Sequence, residues 1–103
     1  MSIRVEPGAR RDIAETIGRY FEAREMIFHI EPTTSGGLHV GFDLDGQPAS
    51  VTISFDARAY EQFEHWDIQH QRAALTRIGE GFAQAFARRG PNAIAADFHV
   101  SRF

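Results

Sequence analysis

Cysteine and lysine are both absent from this 103-residue chain. Without cysteine the chain can form no disulfide and no thiolate-held zinc or iron–sulfur centre of its own. Without lysine, all eleven basic residues are arginine. Only Arg10-Arg11 and Arg88-Arg89 are adjacent pairs, so the arginines lack the clustering that bidentate phosphate recognition would show, and a GC-rich coding sequence accounts for the bias. No stretch approaches the roughly 20 apolar residues of a membrane span. The first residues, Met1 to Gly8, carry no apolar leader, and a cytoplasmic protein is expected. An excess of positive charge is missing too. The net charge is −3 and the pI near 5.9, so neither nucleic acid nor a membrane surface is an expected partner.

What is present suits one folded domain over residues 1–103. Nine Phe, two Tyr and one Trp supply most of the large core material. A chain of this length can bury about two-thirds of its unfolded surface and needs no covalent staple.

The pattern of apolar residues divides the chain. Residues 1–8 form a short arm ending in the turn signal Pro7-Gly8. Ile3 and Val5 alternate well enough for an edge strand, but the arm is left outside the expected sheet. From Ala9 to Arg24, Ile13, Ile17 and Tyr20/Phe21 fall on one helical face, opposite Arg, Glu and Asp. Two extended runs follow, with Met26, Phe28 and Ile30, then Val40, Phe42 and Leu44, apolar at alternate positions and Thr33 to Gly37 between them. Asp45-Gly46-Gln47-Pro48 reads as a four-residue turn. Val51, Ile53 and Phe55 then form a third strand of an antiparallel meander.

Asp56 is a good N-cap, and Phe55 can staple against Tyr60. The apolar phase of Tyr60 and Phe63 does not continue into that of Leu75, Ile78, Phe82 and Phe86. At about 100° per residue a single straight helix could not bury both sets, so a break is expected at Trp66–Ile68, with Asp67 capping the second piece. Trp66, flanked by acids, either folds back onto the core or projects as a recognition point. Arg88-Arg89-Gly90-Pro91 is a stop signal. Ile94, Ala96, Phe98 and Val100 alternate again as a terminal strand, placed parallel to its neighbour by the helical crossover. The result is an α+β fold of order α-β-β-β-α-β, in two layers, with both helices on one face of the sheet.

The other face is polar. Pairing Ile30 with Val40 sets Glu31 opposite His39. Pairing Phe42 with Val51 sets His39 opposite Ser54 and Gly41 opposite Thr52. In that register the face carries His29, Glu31, His39, Asp43, Ser50, Thr52 and Ser54, and the last strand adds Asp97, His99 and Ser101. Imidazoles and carboxylates together can hold a divalent metal or act as a general-base pair. A solvated face of an antiparallel sheet shows the same alternation, however, and is the plainer explanation. His65 and His70 diverge by about 140° on a helix and cannot share an ion. Gly36-Gly37 lies between strands and is no phosphate cradle. Gly-x-Ser-x-Gly is absent. Gly18, Gly79 and Gly81 each cost a helix about 0.5–1 kcal/mol, which close backbone packing would offset.

The order α-β-β-β-α resembles that of double-stranded RNA-binding domains. Where those domains hold phosphates with a lysine cluster at the start of the second helix, this chain reads Asp56-Ala-Arg-Ala-Tyr-Glu-Gln-Phe, with one Arg and no Lys. The acidic pI and mixed topology are similar to those of bacterial secretion chaperones, which are homodimers that wrap a partner's disordered segment. Across about half the chain, Asp45-Gly46 through Val100, the run of turn, strand, helix and final strand resembles small uncharacterised proteins of high-GC β-proteobacteria such as Burkholderia. That resemblance implies a domain of unknown function.

Two function classes compete. The first is a non-enzymatic protein-interaction domain without a cofactor, self-associating through the open sheet or an edge strand. Trp66, Tyr20 and Phe103, which find no obvious place in a two-layer core, are its expected interface anchors. The second is a metal-dependent or His/Glu-based enzyme using His29, Glu31, His39 and His99. Double-stranded RNA binding is a third, disfavoured by charge.

Overall fold

The computed structural model describes residues 2–44, 46–87, 95–101 and 103. Its elements are β1 (Ser2–Ile3), α1 (Ala9–Ala23), β2 (Phe28–Pro32), β3 (Leu38–Leu44), β4 (Gln47–Phe55), α2 (Ala57–His65), α3 (Ile68–Ala87) and β5 (Ala95–Val100). The fold is α+β, with the expected order of long elements. The strands lie in the order β1-β2-β3-β4-β5. β2, β3 and β4 form the antiparallel meander, and β5 runs parallel to β4.

The apolar stripes of α1 and of the region after Asp56 meet one face of this sheet. Ile13, Ile17, Phe21, Phe63, Ile78 and Phe82 come from the helices, and Phe28, Ile30, Leu38, Val40, Val51 and Ile53 from the strands; all are buried. Aromatic rings dominate the centre. Phe21 stacks on Phe28 at 5.5 Å and meets Phe42 at 5.0 Å and Phe82 edge-on at 5.9 Å. Gly18 and Gly79 sit where backbone packs closely. A methyl on Gly18 would press on the Phe28 ring, and one on Gly79 on Thr16 across the α1–α3 contact.

The helical region breaks at Trp66-Asp67, as the phase change requires. Trp66 is extended, with φ −71° and ψ 154°. The carboxylate of Asp67 accepts the backbone N–H of His70 at 2.8 Å and restarts the helix. Asp56 does the same for α2 through Ala59 N–H at 2.9 Å, and Phe55 stacks on Tyr60 at 5.6 Å.

Three expectations are corrected. The N-terminal arm does join the sheet: Ser2 and Ile3 pair in parallel with His29 and Ile30, and Arg4 N–H donates to the Ile30 carbonyl at 2.7 Å. Val5 is thereby buried, and its carbonyl takes a hydrogen bond from the Arg11 guanidinium at 2.9 Å. Met26 lies before β2, not in it. The β3–β4 register is two residues away from the expected one, with Val40 opposite Val51, Phe42 opposite Ala49 and Leu44 opposite Gln47. Only residues 45 and 46 then remain in the connection, and Gly46 takes φ 84°. A two-residue hairpin with Gly at positive φ matches the twist of its strands better than a four-residue loop, so Pro48 enters β4. The slip is even, and every side chain keeps its face. The stop signal Arg88 to Pro91, with Ile94, lies outside the described residues.

Candidate functional site

The face opposite the helices is the polar one. With the observed register, residues align in rows across the strands. Glu31 pairs with His39, His39 with Thr52, and Thr52 with Asp97; in the next row His29 pairs with Gly41 and Gly41 with Ser50. Arg4, from the arm, flanks Glu31 and His29. His39 therefore faces Thr52, not Ser54, and Gly41 faces Ser50, not Thr52. Ser54 instead neighbours His99 on β5.

Gly41 shapes the middle of this face. The His29 ring lies over it, and a methyl at that position would collide with the imidazole. Beside it lies an open depression of about 510 Å³ whose lining includes His29, His39, Asp43 and Ser50 with the apolar Phe28, Phe42, Pro48 and Ala49. Ile27, 70% exposed, stands at its rim. It is out of step with the alternation of Met26, Phe28 and Ile30, which is the one trace of it in the sequence.

The four candidate ligands separate into two places. The His29 and His39 rings are 6.3 Å apart, and His29 Nε2 lies 3.8 Å from Glu31 Oε1 with both side chains about half exposed. An exposed pair at that distance contributes at most about 1 kcal/mol. His99 lies on β5, three strands from β2, so at about 4.8 Å per strand it cannot reach the same ion. Among the described residues no group of three or more His, Asp and Glu is arranged to hold a metal ion.

His99 has a different partner. Its Nδ1 and Ser54 Oγ are 2.8 Å apart, a contact that no sequence pattern marks because it depends on the parallel β4–β5 register. Serine beside histidine can be a nucleophile and its base. Here both residues are exposed, and among the described residues no carboxylate hydrogen-bonds to the imidazole to orient it.

The three aromatic candidates do not share one fate. Phe103 is a core residue, 8% exposed and stacked on Phe63 at 4.9 Å. The expectation that it lies outside the core is corrected, since the chain end folds back over α2 and Arg77 donates to its carbonyl at 2.8 Å. Tyr20 is half-buried against Phe82 and Phe86, with the Arg24 guanidinium 3.7 Å above its ring. Trp66 is half-buried, edge-on to Phe63 at 6.2 Å and beside His70. Away from the polar face, partial burial raises the Tyr60 hydroxyl above its ordinary pKa, and Glu64 acts in the same direction.

No helix among the described residues is long and apolar enough to cross a membrane. No known protein family, curated protein or solved structure matches the chain.

Proposed function

We propose that this chain is a non-enzymatic protein-interaction domain that associates with a second copy of itself through its sheet. One observation carries the reading. The sheet is covered by helices on one side only, and it ends on a six-residue strand, β5, that pairs with β4 alone among the described residues. A sheet left open in this way offers ladder hydrogen bonds and a polar face to another chain. The chemistry on that face supports the same reading. Its histidines are dispersed, and its serine–histidine pair is exposed and unoriented. A net charge of −3 leaves nucleic acid an unsuited partner. A cysteine-free chain has no need of an oxidising compartment, in keeping with a cytoplasmic setting.

Sedimentation velocity on the native chain tests this. A dimer at micromolar concentration is expected. A species that stays monomeric at the highest soluble concentration would overturn the reading.

A further inference from the structure

The two edges of the sheet are unlike. β1 is two residues long, and an edge that short offers little to pair with. β5 runs for six residues. Its backbone polarity is fixed by one contact: the Val100 carbonyl accepts Asp56 N–H at 2.9 Å and so points toward the rest of the sheet. In a strand, the N–H and C=O of one residue lie on the same side, and the sides alternate along the chain. Phe98 therefore shares the inward direction, and Asp97 and His99 present both backbone groups outward.

We propose that β5 pairs antiparallel with β5 of a second copy, across a two-fold axis at Phe98. The proposal rests on the self-association reading above and specifies its interface. Only outward-facing residues can exchange ladder bonds, so the possible registers differ in steps of two. Centring on Phe98 sets Asp97 of each copy opposite His99 of the other, giving two complementary pairs on the polar face. Centring on Asp97 would set carboxylate against carboxylate, like charges directly opposed and unfavourable, and centring on His99 would set Asp97 opposite Ser101 and leave it without an imidazole partner. A self-complementary strand is what a two-fold interface requires.

The helix side of β5 agrees with this register. Phe98 is half-buried, edge-on to Phe82 at 5.7 Å. At the same end of β5 a depression of about 420 Å³ is lined by Arg77, Ile78, Phe98, His99, Val100, Ser101 and Phe103. Across the axis the two Phe98 residues form a non-hydrogen-bonded pair, the type with the closer Cα approach of about 4.5 Å. Each half-buried Phe98 ring then covers the other. Two sheets would join into one continuous sheet.

Charge exchange tests the register. His99→Asp sets carboxylate against carboxylate at both symmetric positions and is expected to weaken dimerisation about tenfold. The double variant D97H/H99D restores complementarity and should recover native affinity. Should His99→Asp fail to fold, Asp97→Lys, which leaves the Ser54–His99 contact untouched, serves as the single variant. Sedimentation of all forms, with circular dichroism as the check on folding, separates the outcomes. Weakened singles with recovery in the double variant support the pairing. Weakened singles without recovery overturn the Phe98-centred register. A dimer indifferent to every variant overturns the edge interface and leaves self-association standing through the open face. A monomeric native chain overturns both.

Discussion

At the carboxyl end of α1 the chain turns through Glu25, whose φ of 55° is left-handed. The turn satisfies the helix end, with Glu25 N–H donating to the Glu22 carbonyl at 3.1 Å and Met26 N–H to the Phe21 carbonyl at 3.0 Å. Helices that stop this way usually place glycine at that position, because a Cβ clashes there. Glu25→Gly is expected to raise stability by about 0.5–1 kcal/mol, relief of strain outweighing the extra freedom of the unfolded chain; urea denaturation checks it. No Gly or Asn at position 25 announces this turn, so the sequence marked the helix's end only by the loss of its apolar phase. Gly37 and Gly41 are similarly silent. A methyl on Gly37 would strike the Ile53 carbonyl, and one on Gly41 the His29 ring. Both contacts come from neighbouring strands and cannot be read from the glycines themselves.

Among the elements, the break between α2 and α3 was the most legible, because two apolar phases cannot share one straight helix. Asp67 takes both the backbone N–H and the ring of His70, and these hydrogen bonds, led by the backbone one, hold its carboxyl below the ordinary 3.8. A carboxylate whose pKa falls on folding stabilises the fold above its unfolded value, and that contribution is lost as pH drops through the folded value. Asp67→Ala should therefore lower the urea midpoint by a constant amount at neutral and mildly acidic pH. The difference from the native chain should narrow only below the ordinary value of 3.8. A difference that closed already near neutrality would point to another group.

Trp66 belongs to the same corner. Half-buried against Phe63, it neither seals the core nor stands free of it. Trp66→Ala is expected to cost about 2 kcal/mol, short of the ~3–5 kcal/mol of a fully buried aromatic, as thermal denaturation would measure. Strand registers were less legible than the helix break. The β2–β3 pairing followed from alternation and loop length. In β3–β4, alternation permits any even slip, and the choice was made by the positive φ of Gly46. The arm's place in the sheet had still less to mark it, since two residues carry too little pattern.

For the molecule as a whole, the division into a helix-covered face and a polar face was readable from alternation, and an even register error could not disturb it. What could not be read was which residues on that face are neighbours. His29, Glu31, His39 and His99 look like one constellation in a list of strand positions. Strand order separates His99 from the rest and gives it to Ser54. The two-fold pairing of β5 likewise depends on which backbone groups point outward, a property of the parallel β4–β5 register.

Amide hydrogen exchange, followed residue by residue over roughly a hundredfold range of protein concentration, reads that interface directly, because association protects by mass action. In a monomer the outward N–H groups of Asp97 and His99 have no ladder partner among the described residues, and that of Phe98 is held in the ladder with β4. Exchange at Asp97 and His99 is predicted to slow as concentration rises, with Phe98 protected throughout. Rates at Asp97 and His99 that stay unchanged while the mass doubles would contradict a sheet-edge interface.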